Sequence, residues 1–495
     1  MTQSAEYQAP EAEIGPEVKT GHPGGLYVLF GAEAWERFSY YGMRALLVLY
    51  LTNHLKYPRK DALALYALYT GLVYVTPLLG GFLADRVLGQ RKAILVGGIV
   101  MAMGHFAMAF EPLLYLALSL LILGNGFFKP NISTMVGNLY PQGDPRRDGA
   151  YTIFYMGINL GAFISPLVCG WLGETMGWHY GFGAAGVGMV LGLIAFLGFQ
   201  KSLVGGYPPG REAAGLARLG AWDWVHVVLA SLICLGTAYG AGLGWTEFQP
   251  YARTMIKVIA ACFGLSFLGV LAMSIITARS EAGVNWQRVL VILVVGIFSI
   301  VFWMGFEQAG GTLTLFADNK TDRTLLGRSF PAAFFQSINP LLIFTLAPVL
   351  SIVWAKIDST RFRMTSSFKM GLGLILLGFA YVIMYQADKL AGANGKVGPE
   401  WLAMVYLFNT LGELCLSPIG LSLVNKLAPA KVASLMMAVW FLCTAVANYL
   451  AGSLEAELEG TSMNLWLFLV GAAIIPGLIL LALTGPLKKL SHGRL

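Results

Sequence analysis

Charge is what this sequence has least of. Asp, Glu, Lys and Arg together make up 12% of its 495 residues, about half the share usual in a soluble chain. With 57% hydrophobic residues and a mean hydropathy of +0.67, there is too little polar surface to clothe several water-soluble cores. Cysteine is also scarce: Cys169, Cys234, Cys262, Cys415 and Cys443 each stand alone in apolar stretches. Without CxxC or ligand-like spacing they read as small buried hydrophobes, which excludes a disulfide framework or a thiolate metal site. A sustained basic patch is missing too. The net charge is +7, yet the basic residues are scattered between apolar blocks, which argues against nucleic-acid binding. Neither HExxH nor GxSxG occurs, nor a His/Asp pair within the apolar blocks, so no enzymatic class is indicated. The opening residues, with Glu6, Glu11, Glu13 and Glu17, lack the basic and short apolar regions of a cleaved signal. Residues 1–25 read as a disordered cytoplasmic lead.

Long apolar blocks are what the chain does have. A spanning helix needs about 20 mostly apolar residues, and such blocks occur near 26–53, 62–85, 92–110, 112–139, 149–172 and 179–200. A polar segment containing Pro208, Pro209, Gly210 and Arg211 follows, then blocks near 222–244 and 251–277. Six more lie near 288–316, 331–355, 368–387, 400–427, 432–456 and 464–486. The sequence therefore predicts an all-α polytopic membrane protein with a 6+2+6 arrangement. Its parts are a six-helix bundle over 26–200, a linker with two extra helices over 201–280, a second bundle over 281–487, and a cytoplasmic tail over 488–495. With the N-terminus inside, twenty Lys and Arg fall in inner loops and ten in outer loops, the bias expected when both termini are cytoplasmic. Two six-span halves about a central pair fit the major facilitator fold, whose halves rock about a midplane site. The stretch Gly80-Gly81-Phe82-Leu83-Ala84-Asp85-Arg86 resembles the loop after the second span in that superfamily.

Several ionisable residues fall inside the blocks: Glu33, Glu36, Arg37 and Arg44 in the first span, Lys129 in the fourth, Glu307 in the seventh and Glu413 in the tenth. Each costs at least about 2.5 kcal/mol at the bilayer centre, so each implies a partner or a water-filled path. On a helix Glu33 and Arg37 are one turn apart, Glu36 lies about 60° from Glu33, and Arg44 follows two turns beyond Arg37, so all four can face one cavity. Buried ion pairs are weak stabilisers, whereas groups that exchange partners between conformations do transport work. A carboxylate in such a cavity also changes protonation when its cationic partner leaves.

The run Glu33-Ala34-Trp35-Glu36-Arg37-Phe38-Ser39-Tyr40-Tyr41-Gly42-Met43-Arg44 resembles the ExxERFxYYG motif of the proton-dependent oligopeptide transporters. The resemblance continues at Tyr74, at Phe127-Phe128-Lys129-Pro130-Asn131, at Phe154-Tyr155-Met156-Gly157-Ile158-Asn159, at Phe302-Trp303-Met304-Gly305-Phe306-Glu307-Gln308, at Gln336-Ser337-Ile338-Asn339-Pro340, at Gly412-Glu413-Leu414-Cys415-Leu416-Ser417-Pro418 and at Trp440. It implies a proton-coupling cluster of Glu33, Glu36 and Arg37 with Lys129, and a Glu307–Arg44 pair near the outer side. Glu413, with Asn159 and Asn339, would take a peptide ammonium, and Arg37, Arg44 and Lys129 its carboxylate. Tyr40, Tyr41, Tyr74 and Tyr155 would supply hydroxyls and aromatic walls, and Trp303, Trp440 and Ser417 would shape side-chain pockets. Two positions depart from the family. Its animal members carry a histidine where this chain has Ala67, and some bacterial members have a second glutamate where it has Phe306. Coupling would then rest on carboxylates alone, with Glu307 unaided on its helix.

The resemblance implies a symporter of di- and tripeptides in a bacterial cytoplasmic membrane, monomeric, with the proton as coupling ion and no cofactor. The nearest rival is a major facilitator carrier of nitrate or another small solute, against which Glu413 argues because an anion needs no ammonium site. A peptide sensor that binds without translocating is the rival from another class. Glycines such as Gly157, Gly161, Gly170, Gly371, Gly373 and Gly378 serve either as hinges or as sites of close helix packing.

Overall fold

The computed structural model describes residues 21–141, 144–203, 285–325, 327–360, 364–429, 433–458 and 461–492, together with 272 and 276. The expected lead up to residue 20, the extra pair near 222–277, Cys234 and Cys262 lie outside the described residues. The first bundle contains α1 (Gly24–Leu49), α2 (Arg59–Leu83), α3 (Gln90–Ala107), α4 (Leu114–Asn138), α5 (Arg146–Trp171) and α6 (Trp178–Gly198). The second contains α7 (Asn285–Phe306), α8 (Thr312–Lys320), α9 (Ile338–Asp358), α10 (Ser366–Asn394), α11 (Pro399–Leu427), α12 (Ala433–Leu458) and α13 (Leu465–Leu490). Helices dominate because hydrocarbon offers no partner for backbone N–H and C=O groups, which a helix satisfies within itself. Where the ends reach polar surroundings, side chains complete them: Asn464 accepts from the amides of Trp466 and Leu467 at 2.9 and 3.2 Å, and Thr365 accepts from Phe368 at 3.3 Å. Eight segments among the described residues are long and apolar enough to cross a membrane.

Apolar side chains point outward as well as inward. Ile99, Met103, Phe106, Val187, Ile194, Ile352 and Ile475 are exposed, while Glu33, Glu36, Arg37, Arg44, Glu307 and Glu413 are buried. That inversion is what a lipid surround requires, since charge is cheapest in the interior where it finds partners.

Glycine decides how closely the helices approach. A Cβ on Gly97 would sit 2.6 Å from the Gly124 carbonyl oxygen, and one on Gly124 would sit 2.6 Å from that of Gly97, so α3 and α4 touch backbone to backbone. Gly373 and Gly412 join α10 to α11 in the same way, at 2.7 and 2.8 Å. The glycines weighed above as hinges all lie against neighbours: Gly157 on Phe30, Gly161 on Ala34, Gly170 on Ala333, Gly371 on Leu481, Gly378 on Ile474. Close packing is their role in this conformation. Ala67, where animal members have histidine, is fully buried against Gly452 of α12, a contact that leaves no room for an imidazole. Cys169, Cys415 and Cys443 are buried and free.

The expected span 288–316 is not one continuous helix. It ends at Phe306, tightens into a 3-10 turn over Glu307–Gly310, and restarts as α8. The block near 331–355 likewise opens with a 3-10 turn, Ala332–Ser337, before α9. Between them a two-stranded hairpin pairs Thr324 with Ser329 and Leu325 with Arg328, turning through Gly327 at φ +75°. It marks one end of the molecule, called here the hairpin end, which also carries the α1–α2, α5–α6 and α12–α13 connections. The two bundles meet where α2 packs on α12 and α5 on α9.

Candidate functional site

The first helix places its four charges on the inner face. Arg37 donates to both carboxylate oxygens of Glu36, through Nη2 at 2.6 Å and through Nε, and its Nε lies 3.4 Å from Glu33 Oε1. Lys129 of α4 donates to Glu33, and Asn125, one turn earlier on α4, donates to Glu36 Oε1 at 3.3 Å. Two carboxylates and two cations thus form a closed cluster within the first bundle. Exposure separates its members, for the Lys129 side chain is 28% exposed while those of Glu33 and Glu36 are 0%. One Glu33 oxygen, Oε2, is buried without a hydrogen-bond partner among the described residues.

Two turns along α1, Arg44 reaches the other bundle. Its Nη2 donates to Glu307, and its Nε donates to the Tyr66 hydroxyl at 2.6 Å. The break after Phe306 makes room for this contact: Tyr66 lies directly against Gly310, and a Cβ there would collide with its hydroxyl. Gln308 anchors the same turn by donating to the Ala451 carbonyl at 2.7 Å. Tyr41 lies between the two arginines, its ring centre 5.8 Å from the Arg37 and 5.9 Å from the Arg44 guanidinium carbon. Tyr40 stands 4.8 Å from Arg37 and packs edge-on against Tyr41, although its hydroxyl finds no hydrogen-bond partner among the described residues. Tyr74 of α2 is half-buried.

Among the described residues, no cation lies in hydrogen-bond range of Glu413, on α11. It accepts from Asn339 Nδ2 at 2.8 Å, and Asn339 also donates to Thr410 at 3.0 Å. A buried carboxylate held by a neutral amide has capacity left for a positively charged ligand. Asn159 is buried but spends its amide on the Tyr155 carbonyl of its own helix at 3.0 Å, so it is not bonded to Glu413. Tyr155 itself is exposed. Ser417 stands one turn beyond Glu413 on α11, half-buried. Trp303 packs edge-on between Phe302 and Phe306, at 5.5 and 5.2 Å, and Trp440 is buried against Gly420.

The hairpin end is closed by bonds between the bundles. Arg59 makes a two-pronged contact with Glu455, Asn53 donates to Asp318 at 2.8 Å, and Ser337 donates to the Phe163 carbonyl at 2.8 Å. Glu174 accepts from the amides of Ala332 and Ala333 at 2.8 and 2.9 Å and from Arg323 at 3.2 Å, so a carboxylate of the first bundle caps a helical turn of the second. At the opposite end, Asn138 donates to Gln90, Arg91 to Leu203 and Lys369 to Asp358, each within one bundle.

Sequence reasoning left out Tyr66, Asn125, Thr410, Glu174 and the Arg59–Glu455 pair. Helical spacing holds the signal for two of them: Asn125 is four residues before Lys129 and Thr410 three before Glu413. The others join segments far apart in sequence. Among the described residues no cluster of His, Cys, Asp and Glu is arranged to hold a metal ion.

A model of the POT family matches residues 91–460. The chain belongs to the POT family. It is 36% identical to the peptide transporter YePEPT of Yersinia enterocolitica, over 95% of this chain and 96% of that one, and 33% identical to a di-/tripeptide transporter of Lactococcus lactis, over 95% and 97%. Its fold matches the crystal structure of a POT family transporter in complex with a thioalcohol-conjugated peptide, with a TM-score of 0.82 and 31% identity over 95% of this chain and 98% of that one. As a POT family member the chain is a transporter.

Proposed function

We propose that this protein carries di- and tripeptides together with protons across a bacterial cytoplasmic membrane by alternating access. The observation that carries the reading is the pairing of a lone, amide-held Glu413 in the second bundle with a charge-dense, cation-bearing first helix in the other. A free peptide is a zwitterion, and such a cavity matches both its ends. Glu413 with Asn339 takes the ammonium; Arg37, Arg44 and Lys129 take the carboxylate; Asn159, Tyr40, Tyr41, Tyr74 and Tyr155 surround the backbone; Trp303, Ser417 and Trp440 shape the side-chain pockets.

The full topology is 6+2+6, with six-helix bundles over 26–200 and 281–487 and two extra helices in 201–280, both termini being cytoplasmic. The hairpin end then faces outside, and its bonds between the bundles make this conformation closed to the outside. The molecule works as a monomer, because each chain carries both halves of its own cavity. Coupling follows from partner exchange. A proton on Glu307 neutralises the acceptor of Arg44 and weakens the hold between α1 and the Glu307 turn. A peptide carboxylate arriving at Arg37 and Lys129 competes with Glu33 and Glu36, which then accept protons on the way in and lose them when the carboxylate leaves. No cofactor is needed beyond the coupling proton.

The test is uptake of radiolabelled dialanine into liposomes containing the purified protein under an inward proton gradient. Accumulation abolished by a protonophore supports the reading. Folded protein that fails to accumulate dialanine and concentrates nitrate instead would replace peptide by a small anion as the substrate; saturable binding with no translocation of either would make the protein a sensor.

A further inference from the structure

We propose that a cavity at the hairpin end is an outer docking site for the zwitterion of a tripeptide, occupied before the peptide enters between the bundles. The proposal rests on the peptide reading above and on the outward orientation of that end.

The cavity, of about 250 Å³, runs beside α8, and none of the residues assigned above to the peptide lines it. Its apolar lining includes Phe316 and Trp466. Both are buried and meet edge-on with ring centres 6.3 Å apart, and Trp466 is backed by Tyr381, stacked at 6.1 Å, so this wall is held rigidly. Four charges line the rest, in two pairs: Arg59 with Glu455, and Lys320 with Asp388 at 2.7 Å. Two cations and two carboxylates sum to no net charge, which suits a ligand carrying one charge of each sign rather than an anion or a cation.

The length of α8 sets the spacing of the pairs. Its first residue, Thr312, donates to Glu455 at 3.1 Å, and Lys320 is its last residue. Eight residues of helix rise about 12 Å. An extended tripeptide reaches at most about 11 Å and a dipeptide about 7 Å, so the tripeptide fits the interval better.

The pairs are also easily exchanged. Their side chains are 43% and 24% exposed for Arg59 and Glu455, and 46% and 21% for Lys320 and Asp388, and pairs open to water to this degree are weak. The ligand ammonium goes to Glu455, which the Thr312 hydroxyl keeps in place. Its carboxylate goes to Lys320, whose three donors allow it to retain Asp388. Arg59 is then released to water, and its bond from α2 to α12 across the bundles is lost. Docking therefore loosens the closed end through which the peptide must pass, and no covalent bond changes.

The test places a reporter in the cavity. Asn319 lines it and is exposed, so Asn319→Cys, in a chain whose five native cysteines are replaced, is open to a membrane-impermeant maleimide. In purified protein, trialanine slows alkylation severalfold, dialanine does so less at the same concentration, and trialanine blocked at both ends has no effect. The protection persists when Glu413→Ala is added, and is lost when Lys320→Gln or Glu455→Gln is added without a fall in the thermal midpoint. No protection by trialanine, in a chain that accumulates dialanine, overturns the docking site and leaves peptide transport standing. Protection that disappears with Glu413→Ala reports the peptide cavity between the bundles and overturns the proposal, as does equal protection by the blocked peptide. Folded protein that accumulates neither peptide removes the transport reading and this proposal with it.

Discussion

Closure of the hairpin end rests more on Glu174 than on the more conspicuous Arg59–Glu455 pair, and the two are separable by experiment. The Arg59 side chain is 43% exposed and that of Glu455 24%, so water and salt screen the pair and it contributes about 1 kcal/mol or less. The Glu174 side chain is 12% exposed and accepts two backbone amides besides Arg323. Losing a helix cap costs about 0.5–2 kcal/mol, and the sheltered contact with Arg323 raises the total to about 1–3 kcal/mol. That range corresponds to a change of roughly 5- to 150-fold in the ratio of open to closed forms. The reporter is a cysteine at Ser337, a buried position whose hydroxyl bonds across the interface to the Phe163 carbonyl, in a chain whose five native cysteines are replaced. Its alkylation by a membrane-impermeant maleimide reports opening of this end. Glu174→Ala should accelerate labelling by roughly 5- to 150-fold, and Arg59→Ala by less than about fivefold. Equal effects, or a larger one from Arg59→Ala, would refute the ranking of the two contacts by burial.

Within the first bundle, Glu36→Ala strips the buried Arg37 of its two-pronged partner at a cost of about 3–5 kcal/mol. Lys129→Ala costs less because that ammonium is partly exposed, so thermal midpoints in detergent should rank Glu36→Ala well below Lys129→Ala. Glu33→Gln and Glu36→Gln should abolish gradient-driven uptake while leaving some counterflow exchange, and normal accumulation in both would remove the cluster from coupling. Glu413→Ala should weaken binding of dialanine far more than that of its N-acetylated form, which lacks the ammonium; competition assays at fixed pH measure the two directly, and equal losses would free Glu413 from the ammonium site. Gly97→Val places a side chain 2.6 Å from the Gly124 carbonyl, an overpacking cost of about 1–3 kcal/mol or more, visible as reduced yield of folded protein.

The sequence alone determined that this chain lives in lipid, because a 12% charged composition cannot clothe soluble domains, and block length is tied directly to bilayer thickness. It also singled out the residues proposed to carry the chemistry. Charges that hydrocarbon penalises this heavily announce themselves wherever they stand, and Glu33, Glu36, Arg37, Arg44, Lys129, Glu307 and Glu413 all proved to be buried or partly buried inside the bundles. Periodicity on α1 was sufficient to group four of them, since 3.6 residues per turn fixes their mutual angles before any folding.

Partners were another matter. That Arg44 divides its donors between Glu307 and Tyr66, that Asn339 holds Glu413 while Asn159 bonds its own helix, and that Glu174 caps a turn in the other bundle are contacts between residues up to 263 positions apart. Hydropathy has no information on which helix stands beside which. The break at Glu307–Gly310 was hidden for the same reason: it falls within an apolar run, and the contact it accommodates, Tyr66 against Gly310, exists only once α2 and the second bundle are packed together. Tertiary structure likewise assigned the glycines to close packing, since the same residue serves a hinge or a helix contact and only the neighbouring backbone distinguishes them.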